Sequence, residues 1–132
     1  MTEYISVEEA LELHAVVLGL TRGTLGVRDM GALIGALERP KSAFGGKEMF
    51  PELFSKAAAL VESVARNHPL IDGNKRTAYL VGAAFLKKNG YDLEPRAGEI
   101  EAFMLWVVTE KPSNEEIAVW LKKRSKRARS KK

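Results

Sequence analysis

The 132-residue chain has no cysteine. Disulfide frameworks, zinc–thiolate sites and thiol catalysis are therefore excluded. No apolar run approaches the roughly 18 residues that a membrane-spanning helix needs. The first stretch, Met1 to Glu12, is acidic and lacks the basic-then-apolar order of a signal peptide. These absences together predict a cytoplasmic protein. There is no convincing strand run, no internal repeat and no sign of a second domain. Acid is missing from one region: residues 122–132 hold eight of the 21 Lys and Arg and no Asp or Glu. The 13 basic residues that remain face all 17 acids in 1–121, so the net charge of +4 belongs to the C-terminal end and the body is acidic. A domain built to grip nucleic acid more often spreads positive charge over a folded face. Nucleic acid is thus expected only as a weak partner, through the tail.

What the chain does hold is a series of helix signals. Hydrophobic residues make up 45%, enough for the core of one domain over 1–125, followed by a basic, disordered end over 126–132. Ser6 followed by Glu9 reads as a capping box opening a helix to about Leu18, after which Gly19, Gly23 and Gly26 make a loop. Asp29 is an N-cap for a second helix that ends near Arg39 and Pro40. Lys41 to Phe50, with Gly45 and Gly46, is expected as a loop or short hairpin flap. Pro51 suits a first helical position. Leu53, Ala57, Leu60, Val61 and Val64 form one apolar stripe on a third helix that stops before His68 and Pro69. From Arg76 to Asn89 the apolar residues point in all directions, the mark of a helix buried at the centre of its domain; Asn89 and Gly90 stop it. Two more helices are expected over 97–109 and 114–125. The fold class is all-α: a helical bundle around a buried central helix, with Trp106 and Trp120 as core anchors and His14, beside the core face, in a structural role.

Chemistry concentrates at the start of the buried helix. A helix N-terminus presents unpaired N–H groups and a partial positive charge. Gly73 lets the backbone turn sharply and lets a ligand approach, and Lys75 and Arg76 add full positive charge. This is an anion site, suited to polyphosphate. Asp72 beside phosphates is suited to hold Mg²⁺, a hard cation that prefers oxygen ligands. Asn74 can donate to phosphate or complete the metal shell. His68 lies four residues before Asp72, and a neutral imidazole accepts a hydroxyl proton near pH 7. A base beside a phosphate cradle points to phosphoryl or nucleotidyl transfer to an alcohol. Each residue also has a plainer reading: His68 closing a helix end, Asp72 only capping the next helix, Lys75 and Arg76 a solvated pair.

The run His68, Pro69, Leu70, Ile71, Asp72, Gly73, Asn74, Lys75, Arg76 resembles the signature of the Fic/Doc superfamily: His, x, Phe, x, Asp or Glu, Gly or Ala, Asn, Gly or Lys, Arg. Leu70 is the one departure, a smaller side chain where the family usually places Phe to anchor the loop. Gly26–Val27–Arg28–Asp29, Ala36–Leu37–Glu38–Arg39–Pro40, Phe44–Gly45–Gly46, Lys56–Ala57–Ala58 and the Phe85–Leu86 and Asn89–Gly90 pairs also resemble the death-on-curing branch, over most of 4–121. Lys75 replaces the Gly typical of AMP-transferring Fic enzymes, and Tyr79 replaces their second Arg. The resemblance implies a toxin of a type II toxin–antitoxin system. It implies a kinase that moves the γ-phosphate of ATP onto a threonine of elongation factor Tu. His68 would be the base and Asp72 the Mg²⁺ ligand. Asn74, Lys75 and Arg76 would bind phosphate, with Arg66 and Arg28 as auxiliary contacts. Self-inhibited Fic proteins carry an inhibitory Glu followed by Gly or Asn; no Glu here is so followed, which implies restraint by a small Phd-like antitoxin docked on an apolar groove among the N-terminal helices. The competing expectations are a Fic-type AMP transferase, a catalytically silent binding module, and nucleic-acid binding through the tail.

Overall fold

The computed structural model describes residues 1–21 and 26–128. Ser6 and Glu9 form the capping box: the Ser6 N–H donates to Glu9 Oε1 at 3.0 Å and the Glu9 N–H to Ser6 Oγ at 3.1 Å. It opens α1 (Val7–Thr21), which runs through Gly19 instead of stopping at Leu18; Gly23 lies outside the described residues. Asp29 caps α2 (Met30–Glu38) by accepting from the Ala32 N–H. After a 3₁₀ turn over Arg39–Lys41, β1 (Ala43–Phe44) and β2 (Lys47–Glu48) form an antiparallel hairpin. Its tip needs two left-handed residues, which Gly45 (φ +59) and Gly46 (φ +82) supply. The hairpin is moored from behind by Lys56, 3% exposed, whose ammonium donates to the Glu48 carboxylate at 2.5 Å and the Phe50 carbonyl at 2.6 Å.

α3 (Leu53–Asn67) begins two residues later than Pro51 suggested. The Glu52 N–H donates to Ser55 Oγ at 3.1 Å, which holds Glu52 extended as the N-cap and leaves Pro51 outside the helix. α4 (Asn74–Lys88) packs along α3, and a Cβ at Gly82 would overlap the Val61 side chain, so the two helices are in close contact there. The centre of the domain is this pair rather than α4 alone. Nine residues of α3 between Lys56 and Ala65 are buried, whereas Leu80, Ala83 and Ala84 of α4 are only half-buried. Three successive alanines, Ala57 to Ala59, let neighbouring elements enclose α3 on every side. Leu33, Ala36 and Leu37 of α2 and residues of α5 (Glu99–Thr109) and α6 (Asn114–Lys123) complete the core.

The bundle is helical, as expected, but two corrections arise at its far end. After Gly90 (φ +94), β3 (Tyr91–Leu93) pairs antiparallel with β4 (Ser125–Arg127), placing Tyr91 opposite Arg127 and Leu93 opposite Ser125. The Ala128 N–H donates to the Gly90 carbonyl at 2.8 Å. The basic stretch expected to be disordered from residue 126 is therefore part of the fold through Ala128. Trp106 and Trp120 are half-buried at the edge of the core; Trp120 stacks on Phe103 with ring centroids 3.8 Å apart and carries the Arg124 guanidinium on its other side. Among the described residues no helix is long and apolar enough to cross a membrane.

Candidate active site

α3 ends because His68 turns left-handed (φ 47, ψ 54), a conformation that costs a residue with a Cβ about 1–2 kcal/mol. Surrounding bonds compensate for it. Arg28 Nε donates to the His68 carbonyl at 2.9 Å, and Arg28 Nη2 donates to the Asn67 carbonyl at 3.1 Å and also to that of His68. The Pro69 carbonyl accepts from the N–H groups of Arg28 and Asp29 at 2.8 and 3.0 Å. Val27 and Leu70 form an antiparallel bridge, and the Ile71 N–H donates to the Gly26 carbonyl at 3.1 Å. The Leu70 side chain is 1% exposed, a full anchor despite its smaller size.

The second half of the loop is closed by Asn74. Its Nδ2 donates to the Leu70 carbonyl and its Oδ1 accepts from the Leu70 N–H, both at 2.9 Å. The Gly73 N–H donates to Asp72 Oδ1 at 2.8 Å. Gly73 is required twice over: its φ is +74, and a Cβ would stand 3.2 Å from Val17 Cγ1 and 3.4 Å from Leu18 Cδ2 of α1. His14, 1% exposed, reaches the loop from the same helix, its Nε2 donating to the Asp72 carbonyl at 2.9 Å.

These bonds shape a cleft of about 460 Å³ lined by His68, Ile71, Asp72, Gly73, Asn74, Lys75, Arg76 and Val17. The first bond of α4 runs from the Thr77 N–H to the Gly73 carbonyl, so the N–H groups of Asn74, Lys75 and Arg76 have no acceptor within the helix. Lys75 and Arg76 are exposed beside them, and His68 and Asp72 are exposed at the rim. Volume alone does not single this cleft out. A wider one of about 1090 Å³ opens near β3 and β4, lined by Lys87, Lys88, Lys126 and Arg127 with Asp92 and Glu94, but no helix begins there. Among the described residues, the cleft at α4 alone joins a helix N-terminus, two cations, a carboxylate and an imidazole. Among the described residues no three His, Asp or Glu side chains cluster to cage a metal. A divalent cation here would be held by Asp72 together with phosphate oxygens and water, the manner in which Mg²⁺ is usually bound.

Three sequence expectations change. Arg66 does not face the cleft; its guanidinium donates to the Val107 carbonyl at 3.1 and 3.2 Å and to the Pro112 carbonyl at 3.0 Å and pairs with Glu62, tying α3 to the α5–α6 connection. Arg28 is spent on the backbone carbonyls that end α3. Asn74 uses its amide to close the loop. In turn, the reading of His14 as merely structural missed its contact with the loop. The only sequence signal was an imidazole set among apolar neighbours, since its partner lies 58 positions away. Tyr79 is 6% exposed within the core, and burial pushes its phenol up to about 12.

Fold and site together define a helical domain with a cleft at a helix N-terminus, lined by two cations and a carboxylate and with a histidine at its edge. A family model described as "Fic/DOC family" matches residues 4–86. "Toxin Doc" of Mycolicibacterium smegmatis is 46% identical over 93 residues, spanning 70% of this chain and 69% of that protein. "Protein kinase doc" of Escherichia phage P1 is 32% identical over 87 residues, 66% of this chain and 68% of that one. The chain belongs to the Fic/DOC family.

Proposed function

We propose that this chain is the toxin of a cytoplasmic toxin–antitoxin pair and a protein kinase. In this reading it transfers the γ-phosphate of ATP to a threonine of elongation factor Tu and so blocks translation. The observation that carries the kinase reading over AMP transfer is the placement of Tyr79. It stands where AMP-transferring Fic enzymes carry a second phosphate-binding Arg, and it lies in the core instead of the cleft. Lys75 lines the cleft where those enzymes have Gly. The relatives named as a Doc toxin and a Doc protein kinase point the same way.

The polyphosphate sits on the N–H groups of Lys75 and Arg76, with both side chains over its oxygens. Mg²⁺, held by Asp72 and phosphate oxygens, would neutralise charge on the β- and γ-phosphates. The His68 imidazole takes the threonine hydroxyl proton as that oxygen bonds to the γ-phosphorus. The bond from the γ-phosphorus to the bridging oxygen breaks, and ADP leaves with the electron pair. Arg28 contributes by fixing the backbone at His68. A small antitoxin would cover apolar side chains that α1 and α2 leave exposed: Val16 at 56%, Met30 at 44% and Ile34 at 45%.

The test is transfer from γ-labelled ATP with Mg²⁺ to purified elongation factor Tu, with wild type and His68→Ala. Label on the factor with wild type alone supports the proposal. Label that instead follows α-labelled ATP onto a protein makes the chain an AMP transferase. Silence with both labels, in a whole lysate as well, makes it a binding module.

A further inference from the structure

His14 is the buried imidazole of the molecule, and the mechanism above makes no use of it. Its place is specific. It reaches from α1 across 58 positions of sequence to one backbone atom of the anion loop, the Asp72 carbonyl oxygen, at 2.9 Å. A carbonyl only accepts, so Nε2 carries the proton. The peptide joining Asp72 to Gly73 is planar and trans. Its C=O and N–H therefore point in opposite directions. Holding the oxygen inward, against α1, turns the Gly73 N–H outward. That N–H donates to Asp72 Oδ1 at 2.8 Å. The sequence of contacts runs from a buried ring, through one rigid peptide, to the carboxylate at the rim of the cleft. Gly73 favours it, since its φ is +74 and a Cβ would press on the Val17 and Leu18 side chains at 3.2 and 3.4 Å.

We infer that His14 is a positioning residue for the nucleotide site. By fixing the Asp72–Gly73 peptide it aims the Asp72 carboxylate at the cation and sets the backbone that enters the first turn of α4. This rests on the reading of the cleft as a Mg²⁺–nucleotide site. His14 touches neither substrate nor cleft; it acts through the peptide.

Two substitutions separate this role from simple packing. His14→Phe keeps a planar ring, somewhat larger, and loses the donor. His14→Gln keeps a donor on a flexible stem. Each is compared with wild type by the ¹⁵N–¹H resonance of Gly73 in the ligand-free protein. Each is also titrated calorimetrically with a non-hydrolysable ATP analogue in Mg²⁺. His14→Phe is expected to keep a folded spectrum, shift the Gly73 amide and its hydrogen exchange, and weaken analogue binding at least tenfold. His14→Gln is expected to stay within about threefold of wild type. The inference is overturned if folded His14→Phe binds as wild type does, or if His14→Gln fails as badly as His14→Phe, which would make the ring a packing element. If wild type binds no analogue, the nucleotide reading fails by itself, and the Gly73 amide still decides whether His14 sets the peptide: an unmoved resonance in His14→Phe refutes it.

Discussion

Replacing Gly73 by alanine tests how tightly the anion loop is seated on α1. Two costs add. The backbone at φ +74 is left-handed, which an alanine adopts at about 1–2 kcal/mol. The new methyl would also stand 3.2 Å from Val17 Cγ1 and 3.4 Å from Leu18 Cδ2, inside ordinary contact distance. Displacing the ends of the Val17 and Leu18 side chains by a few tenths of an ångström adds about 1 kcal/mol. Gly45 at the hairpin tip is the control. Its φ is +59, and a Cβ there would meet nothing within 4 Å, so Gly45→Ala carries the first cost alone. Equilibrium unfolding in urea, followed by circular dichroism, should show a loss of about 2–3 kcal/mol for Gly73→Ala against about 1–2 kcal/mol for Gly45→Ala. In a domain of this size each kcal/mol moves the melting temperature by roughly 4 °C, so the two variants should also separate in a thermal scan. Equal losses would refute the reasoning: α1 would be yielding freely, and the loop would owe its shape to local bonds only.

Leu70→Ala removes a fully buried anchor and should cost about 2–5 kcal/mol in the same urea experiment. Arg66→Met leaves the Val107 and Pro112 carbonyls without their donor and should cost about 2–3 kcal/mol, with nucleotide affinity unchanged wherever the variant is folded; a loss of affinity at undiminished stability would return Arg66 to the site. Arg124 beside Glu99, helped by the Arg96 N–H, holds that carboxyl down to about 2 from its ordinary 4.5. A carboxyl depressed by folding adds stability that is present above 4.5 and lost as pH falls toward 2, so Glu99→Gln should be less stable than wild type near neutrality and converge with it in that acid window when unfolding is measured across pH. Ending the chain after Arg124 removes β4, and hydrogen exchange at Tyr91 to Leu93 should then speed up while amides in the middle of α3 keep their protection.

The local signals in the sequence were readable where one short segment suffices to satisfy its own groups. The Ser6–Glu9 box, the Asp29 cap, the two glycines of the hairpin tip and the stop at Asn89 and Gly90 each solve a problem within a few residues. The anion loop was readable for the same reason, because its nine positions are contiguous. What stayed hidden depends on distant partners. β4 is a strand because β3 offers it a free edge more than thirty positions away, and Ser125–Lys126–Arg127 has no strand propensity to announce it. The family resemblance implies auxiliary phosphate or substrate contacts for Arg28 and Arg66. Yet a guanidinium satisfies carbonyls equally well, and here the tertiary fold brings carbonyls to both. The left-handed turn at His68 is hard to read from the residue alone: histidine is one of the few side chains enriched in that conformation, yet most histidines adopt others.

The pairing of residues 26–29 with Pro69, Leu70 and Ile71 gives the cleft a handle on its outer side. Backbone bonds and the Arg28 guanidinium together tie segment and loop to each other. A protein that grips residues 26–29 and draws them aside would unseat the backbone at His68 without entering the cleft. On the proposed reading of the site, nucleotide would stay bound while His68 is held out of line. Control exerted through such a lever is reversible as soon as the grip is released, whereas a plug in the cleft must compete with the nucleotide for the same space.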